Sequence, residues 1–105
     1  MQYKIQWTEC IKLEKGKICL KDILTKKGKY PSGNEKKEDL MVEMYSIPNN
    51  GVVFKFKLDL NGFIEVNVGG DMYYLTLKDI VYIPNPKDQS KLENFGYIII
   101  NVETA

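Results

Sequence analysis

Between residues 52 and 77 the chain reads VVFKFKLDLNGFIEVNVGGDMYYLTL, three runs of alternating apolar and polar residues separated by Asn61-Gly62 and Gly69-Gly70. A period of two puts successive side chains on opposite faces of a strand, and Asn-Gly and Gly-Gly between such runs are hairpin signals. The pattern predicts a three-stranded antiparallel meander. A two-residue turn at Asn61-Gly62 would set Leu58 against Glu65 and mix the faces. The expected loop is therefore Leu60-Asn61-Gly62 with the glycine left-handed, pairing Phe54 with Val68, Phe56 with Val66 and Leu58 with Ile64, and setting Lys57 beside Glu65. Gly69-Gly70 should close the second hairpin with Val66 opposite Tyr73 and Ile64 opposite Leu75. The inner face then runs through Phe54, Phe56, Leu58, Ile64, Val66, Val68, Tyr73, Leu75 and Leu77. Burying each such side chain contributes roughly 1.5–3 kcal/mol.

The same alternation marks Tyr3, Ile5 and Trp7 as an N-terminal strand and Ile80 to Ile83 as a short strand stopped by Pro84 and Pro86, since proline lacks the ladder donor. Gly96 to Val102, GYIIINV, reads as a strand buried on both faces. A turn at Lys15-Gly16 pairs Leu13 with Ile18 and Ile11 with Leu20, leaving Cys10 and Cys19 together on the other face. In that register the cysteines are diagonal, with Cα atoms beyond the ~7 Å limit for a bridge, so free thiols are expected. Two cysteines without further ligands do not make a zinc site. Asn34 is placed to cap a helix over 35–45, whose Leu40, Met41, Met44 and Tyr45 share one side. The competing reading makes 40–46 a strand with Leu40, Val42 and Met44 inward; the helix is adopted. Ser90 is placed to cap a helical turn through Asn94. The segment 25–34, TKKGKYPSGN, is a polar loop. Together these elements predict a mainly β fold, a small barrel or two-layer β-sandwich of about seven strands with a central antiparallel meander and one short helix, in a single domain over 1–105.

Composition narrows the chemistry. The chain has fifteen lysines and neither arginine nor histidine. It lacks the side chain whose ordinary pKa lies near neutrality and the planar fork that grips phosphate or carboxylate with two parallel bonds. Lysine without arginine, with eleven isoleucines and eight asparagines, suggests the codon bias of an AT-rich genome, as in low-GC bacteria and their phages and mobile elements. Net charge is only +1, yet residues 1–37 hold ten lysines and four acids while 38–105 hold five lysines and ten acids. No apolar h-region opens the chain and no apolar run is long enough to span a bilayer, so a cytoplasmic protein with no membrane contact is expected.

No GxSxG, HExxH, Walker A or GxGxxG motif occurs. No catalytic residue, metal site or cofactor is therefore assigned, and non-catalytic binding is the expectation. Another protein is the first partner, with the chain acting as an interaction module or inhibitor, of the anti-defence or immunity type carried by phages and mobile elements. Lys26, Lys27 and Lys29 around Tyr30 make the polar loop a candidate contact for an acidic surface. The alternative is a nucleotide or single-stranded nucleic-acid binder on the outer face of the meander. There Lys55 and Lys57 would meet phosphates while Phe63 and Tyr74 stack on bases, and a homo-oligomer with ligand between subunits would fit this reading.

Overall fold

A computed structural model of the chain describes residues 1–84, 87, 90 and 95–105. Eight strands run in the order β1 (Gln2–Gln6), β2 (Cys10–Leu13), β3 (Gly16–Thr25), β4 (Leu40–Pro48), β5 (Phe54–Asp59), β6 (Phe63–Val68), β7 (Asp71–Tyr82) and β8 (Gly96–Thr104). They form two antiparallel four-stranded sheets, one ordered β1-β8-β7-β6 and the other β2-β3-β4-β5. The expected mainly β two-layer sandwich is what forms; the barrel does not close. Each sheet turns its alternating apolar face inward. Ile18, Leu20, Val42, Met44, Phe56 and Leu58 of one sheet thereby pack against Val66, Val68, Leu75, Leu77, Ile98 and Ile100 of the other.

The hairpin at Gly69-Gly70 forms in the expected register, with Val66 opposite Tyr73 and Ile64 opposite Leu75. Both glycines have positive φ, 66° and 103°, as a two-residue turn matched to strand twist requires. The other half of the meander does not form. β5 pairs with β4, Phe56 opposite Met44, and β6 pairs with β7, so β5 and β6 belong to different sheets. The segment Leu60-Asn61-Gly62 is an arch that carries the chain across the core. Its left-handed residue is Asn61, φ 63°, rather than the glycine. Gly62 is needed for closeness: its N–H donates to Asp59 O at 2.7 Å, and a Cβ there would meet that same carbonyl oxygen. An arch wins because both strands are apolar on one face only, and opposing those faces across a core buries both.

The helix expected over 35–45 is also overturned. Only a 3₁₀ turn, Lys37–Asp39, precedes β4, and the competing strand reading holds, with Val42, Met44 and Ser46 inward and fully buried. Met41 and Glu43, which the helix would have distributed otherwise, lie on the outer face opposite Asp59 and Lys57. The strand expected at 80–83 is continuous with 71–77 as β7, with a bulge at Lys78 that shifts the register between Leu77 and Asp79. A second bulge interrupts β3 at Lys21. Residues 91–94 of the capped turn expected from Ser90, and the stop at Pro86, lie outside the described residues.

The first hairpin turns through Glu14-Lys15, opposing Leu13 to Gly16, Ile11 to Ile18 and Cys10 to Cys19. This differs from the expected pairing by two residues, a slip that keeps every side chain on its face and changes only its partner. The cysteines are therefore directly opposed, with Cα atoms 3.9 Å apart, and they form a disulfide rather than free thiols. In chain-entropy terms, closing a loop of this length stabilises the fold by about 2–3 kcal/mol. Gly16 has no positive φ; its missing side chain admits Ile47 O, Pro48 and Val68, so the second turn region packs onto the first.

Candidate functional site

The polar loop after β3 is ordered by a carboxylate. Glu35 Oε1 accepts from the Ser32 N–H at 3.0 Å and from Ser32 Oγ at 2.9 Å, while Oε2 accepts from the Gly33 N–H at 3.0 Å. Gly33 has φ 103°, which turns its N–H toward the same acceptor. The backbone bond from Ser32, with those of the serine hydroxyl and Gly33, holds the Glu35 carboxyl down at about 2, well below the ordinary carboxylate range. The other half of the loop closes on Thr25: its N–H donates to Lys29 O at 2.8 Å, its carbonyl accepts from Gly28, and its hydroxyl accepts from the Lys29 N–H. Lys26 N–H donates to Asp39 O at 2.9 Å, fastening the loop to the 3₁₀ turn.

Glu35 gives a pH prediction with a definite sign. A carboxyl whose pKa falls on folding contributes its full stabilisation above the unfolded value of about 4.5 and loses it as pH falls through the folded value. Between pH 4.5 and about 2 the loop should therefore loosen first. A carbon-13 titration of the glutamate side chains should show Glu35 ionising near 2, with the Ser32 and Gly33 amide resonances moving in step; an ordinary midpoint would refute the cradle.

This scaffold presents Lys26, Lys27, Lys29 and Tyr30 around one concavity of about 610 Å³, with Glu35 and Asp39 in its wall. Tyr30 is 65% exposed, yet its hydroxyl donates to Asp22 Oδ1 at 3.4 Å. The four loop residues singled out from sequence are thus brought together.

The four outer-face residues are not. Lys55 and Lys57 lie on the outward face of β5, at the edge of one sheet. Phe63 and Tyr74 lie on the outward face of the other sheet, stacked at 5.5 Å with an interplanar angle of 23°. The residues directly opposite Tyr74 on its two neighbouring strands are Glu65 and Glu103. A base stacked there would meet carboxylates, and the two lysines face the other way. Lys57 instead joins Lys21 in flanking Glu43, at 3.9 and 3.6 Å. Glu43 is 8% exposed, and its two cations balance a charge that burial alone would disfavour. The Tyr45 side chain first, then Glu43 and Asp22, raise Lys21 above its usual pKa.

Sequence reading missed Glu35 as the loop's organiser and Asp22 as the support of Tyr30. Ser32-Gly33-Asn34-Glu35 has the S-x-x-E spacing of a capping box, here closed on a loop instead of a helix, and that spacing was the available signal. Asp22 had none, because it reaches Tyr30 only after the bulge at Lys21 turns it to the outer face. Among the described residues no group of three or more His, Cys, Asp or Glu side chains is arranged to hold a metal ion, and no helix is long and apolar enough to cross a membrane. No family model matches the chain, and no curated protein or solved structure matches it.

Proposed function

We propose that the protein is a non-catalytic interaction module that docks an acidic surface of another protein onto the loop 26–30. The observation that carries this is the closure of the loop on Thr25, whose N–H donates to Lys29 O at 2.8 Å and whose carbonyl accepts from Gly28, with Glu35 fixing the segment that follows at Ser32 and Gly33. It sets the loop's shape before any partner arrives, and a contact already shaped loses less conformational freedom on binding. Tyrosine presented on such a loop is a recurrent binding anchor, and three lysines beside it add steering and charge selectivity. The narrower form of the proposal, an inhibitor or immunity-type protein of a phage or mobile element working in the cytoplasm, rests on composition. The Cys10–Cys19 bond weighs against that compartment, since reducing pools keep thiols reduced.

The test is selection from a displayed library of acidic peptides, with a length-matched single-stranded oligonucleotide as the competing probe. Peptide binding should weaken about tenfold or more for Tyr30→Ala and for the combined Lys26→Ala, Lys27→Ala and Lys29→Ala variant, at unchanged melting temperature. Equal binding by these variants ends the proposal. Binding of the oligonucleotide alone, falling steeply with salt, would replace it with the nucleic-acid reading.

A further inference from the structure

We infer that the open edge formed by β5 and β6 is a homodimer interface, in which β5 of each copy pairs with β6 of the other. Both are edge strands, and among the described residues each has a backbone ladder with one neighbouring strand only. The other two edge strands, β1 and β2, lie on the opposite side of the sandwich. There the turn between β1 and β2 bonds onto β3, with Thr8 N–H donating to Leu20 O at 3.1 Å and Leu20 N–H to Glu9 O at 3.0 Å. The two-residue turn at Gly69-Gly70 makes Val68 and Asp71 a hydrogen-bonded pair, and alternation then aims the backbone groups of Phe63, Glu65 and Asn67 away from β7. Of these, Asn67 O is taken by the Ser46 hydroxyl at 3.1 Å. Exposed apolar residues gather on the same side: Val53, Phe54 and Phe63 are 51%, 54% and 60% exposed.

The occupant follows from symmetry and charge. The arch Leu60-Asn61-Gly62 joins the strands tightly, so residues equidistant from it stand at equal height: Leu58 with Ile64, Lys57 with Glu65, Phe56 with Val66, Phe54 with Val68. A two-fold axis parallel to the strands preserves height and exchanges the sheets. It brings β5 beside the second copy's β6, antiparallel and in that register, at both edges at once. Lys57 then faces Glu65 of the second copy, apolar residues line the inner side, and two continuous eight-stranded sheets result. Lys57 is 3.9 Å from its own Glu43 and its side chain is 56% exposed, which leaves donors for a second carboxylate. Pairing like with like is disfavoured: β5 on β5 opposes lysines, and β6 on β6 opposes glutamates. The pairing that the sequence pattern predicts within one chain is thus satisfied between two.

Light scattering or sedimentation equilibrium over a concentration series tests this on the intact chain. The mass should rise from 12.1 kDa toward twice that value. Lys57→Glu and Glu65→Lys should each raise the dissociation constant by about tenfold or more, since each dimer holds two such pairs, and the double swap should restore it. Circular dichroism checks folding; if Lys57→Glu unfolds against Glu43, Lys57→Gln with Glu65→Gln replaces it and should weaken association. A monomer at every concentration overturns the inference. So does a dimer that single swaps leave untouched or that the double swap does not restore.

Discussion

Leu75→Ala should lower the melting midpoint by about 15 °C, corresponding to a loss of about 3 kcal/mol. Leu75 is fully buried on β7, between Ile64 on one neighbouring strand and Val102 on the other. Its side chain points into the layer where the sheets meet, beside Val66, Leu77 and Ile100. Truncation removes contacts with both sheets, and sheets held by opposed ladders cannot collapse into the gap, so the cavity persists. Denaturant unfolding with an unchanged m value would place the loss in packing. A loss below 1 kcal/mol would mean the sheets are not held together through this position.

Gly16→Ala should be nearly as severe, at about 3 kcal/mol. A methyl group there meets Ile47 O, Pro48 Cα at 2.7 Å and Val68 Cγ1 at 2.7 Å, two of the three being backbone atoms. The strand would have to move, separating the β2–β3 turn from the end of β4 and from the other sheet. Gly28→Ala is the natural comparison: a Cβ there meets nothing within 4 Å, and only its φ of 84° opposes the change. That costs about 1–2 kcal/mol. If thermal melts rank the two the other way, the close approach at Gly16 is not what holds this corner.

What the sequence disclosed follows from what alternation can express. A period of two assigns faces, so Phe56, Leu58, Val66, Val68, Tyr73, Leu75 and Leu77 are buried as expected, while Ile64 is half-buried and Phe54, also expected inward, is 54% exposed at the start of β5. Alternation says nothing about which sheet a strand joins, and so the arch at Asn61-Gly62 and a hairpin there look alike. The first hairpin shows the same limit at finer scale. Faces were right, while the partner of each residue depended on whether the turn used two residues or four, and the disulfide turned on that difference. In β4 the run LMVEMYS fits both periods, and helix propensity of Leu, Met and Glu favoured the wrong one. Burial on both sides decided it: Met41 and Glu43 are covered outside while Val42 and Met44 fill the core. For the candidate site, the lysines and Tyr30 were legible as a cluster because they are adjacent in the chain. The lysines and aromatics of the supposed platform were not separable by eye, since their division required knowing the arch.

The strand order also sets when each half of the molecule can form. β2 to β5 are consecutive in the chain and adjacent in their sheet, so that sheet has everything it needs once residue 59 has been made. The other sheet begins with β1, whose one ladder among the described residues is to β8: Gln2 lies opposite Asn101, and the Met1 amino group donates to Val102 O at 3.0 Å. β1 must therefore wait for β8, some ninety residues later in the chain. Until then Tyr3 and Ile5 have no ladder to join, and the apolar inner face of the finished sheet is uncovered. Pairings this distant along the chain fold slowly, and translation itself becomes the longest interval in which the half-built sandwich is open to other chains.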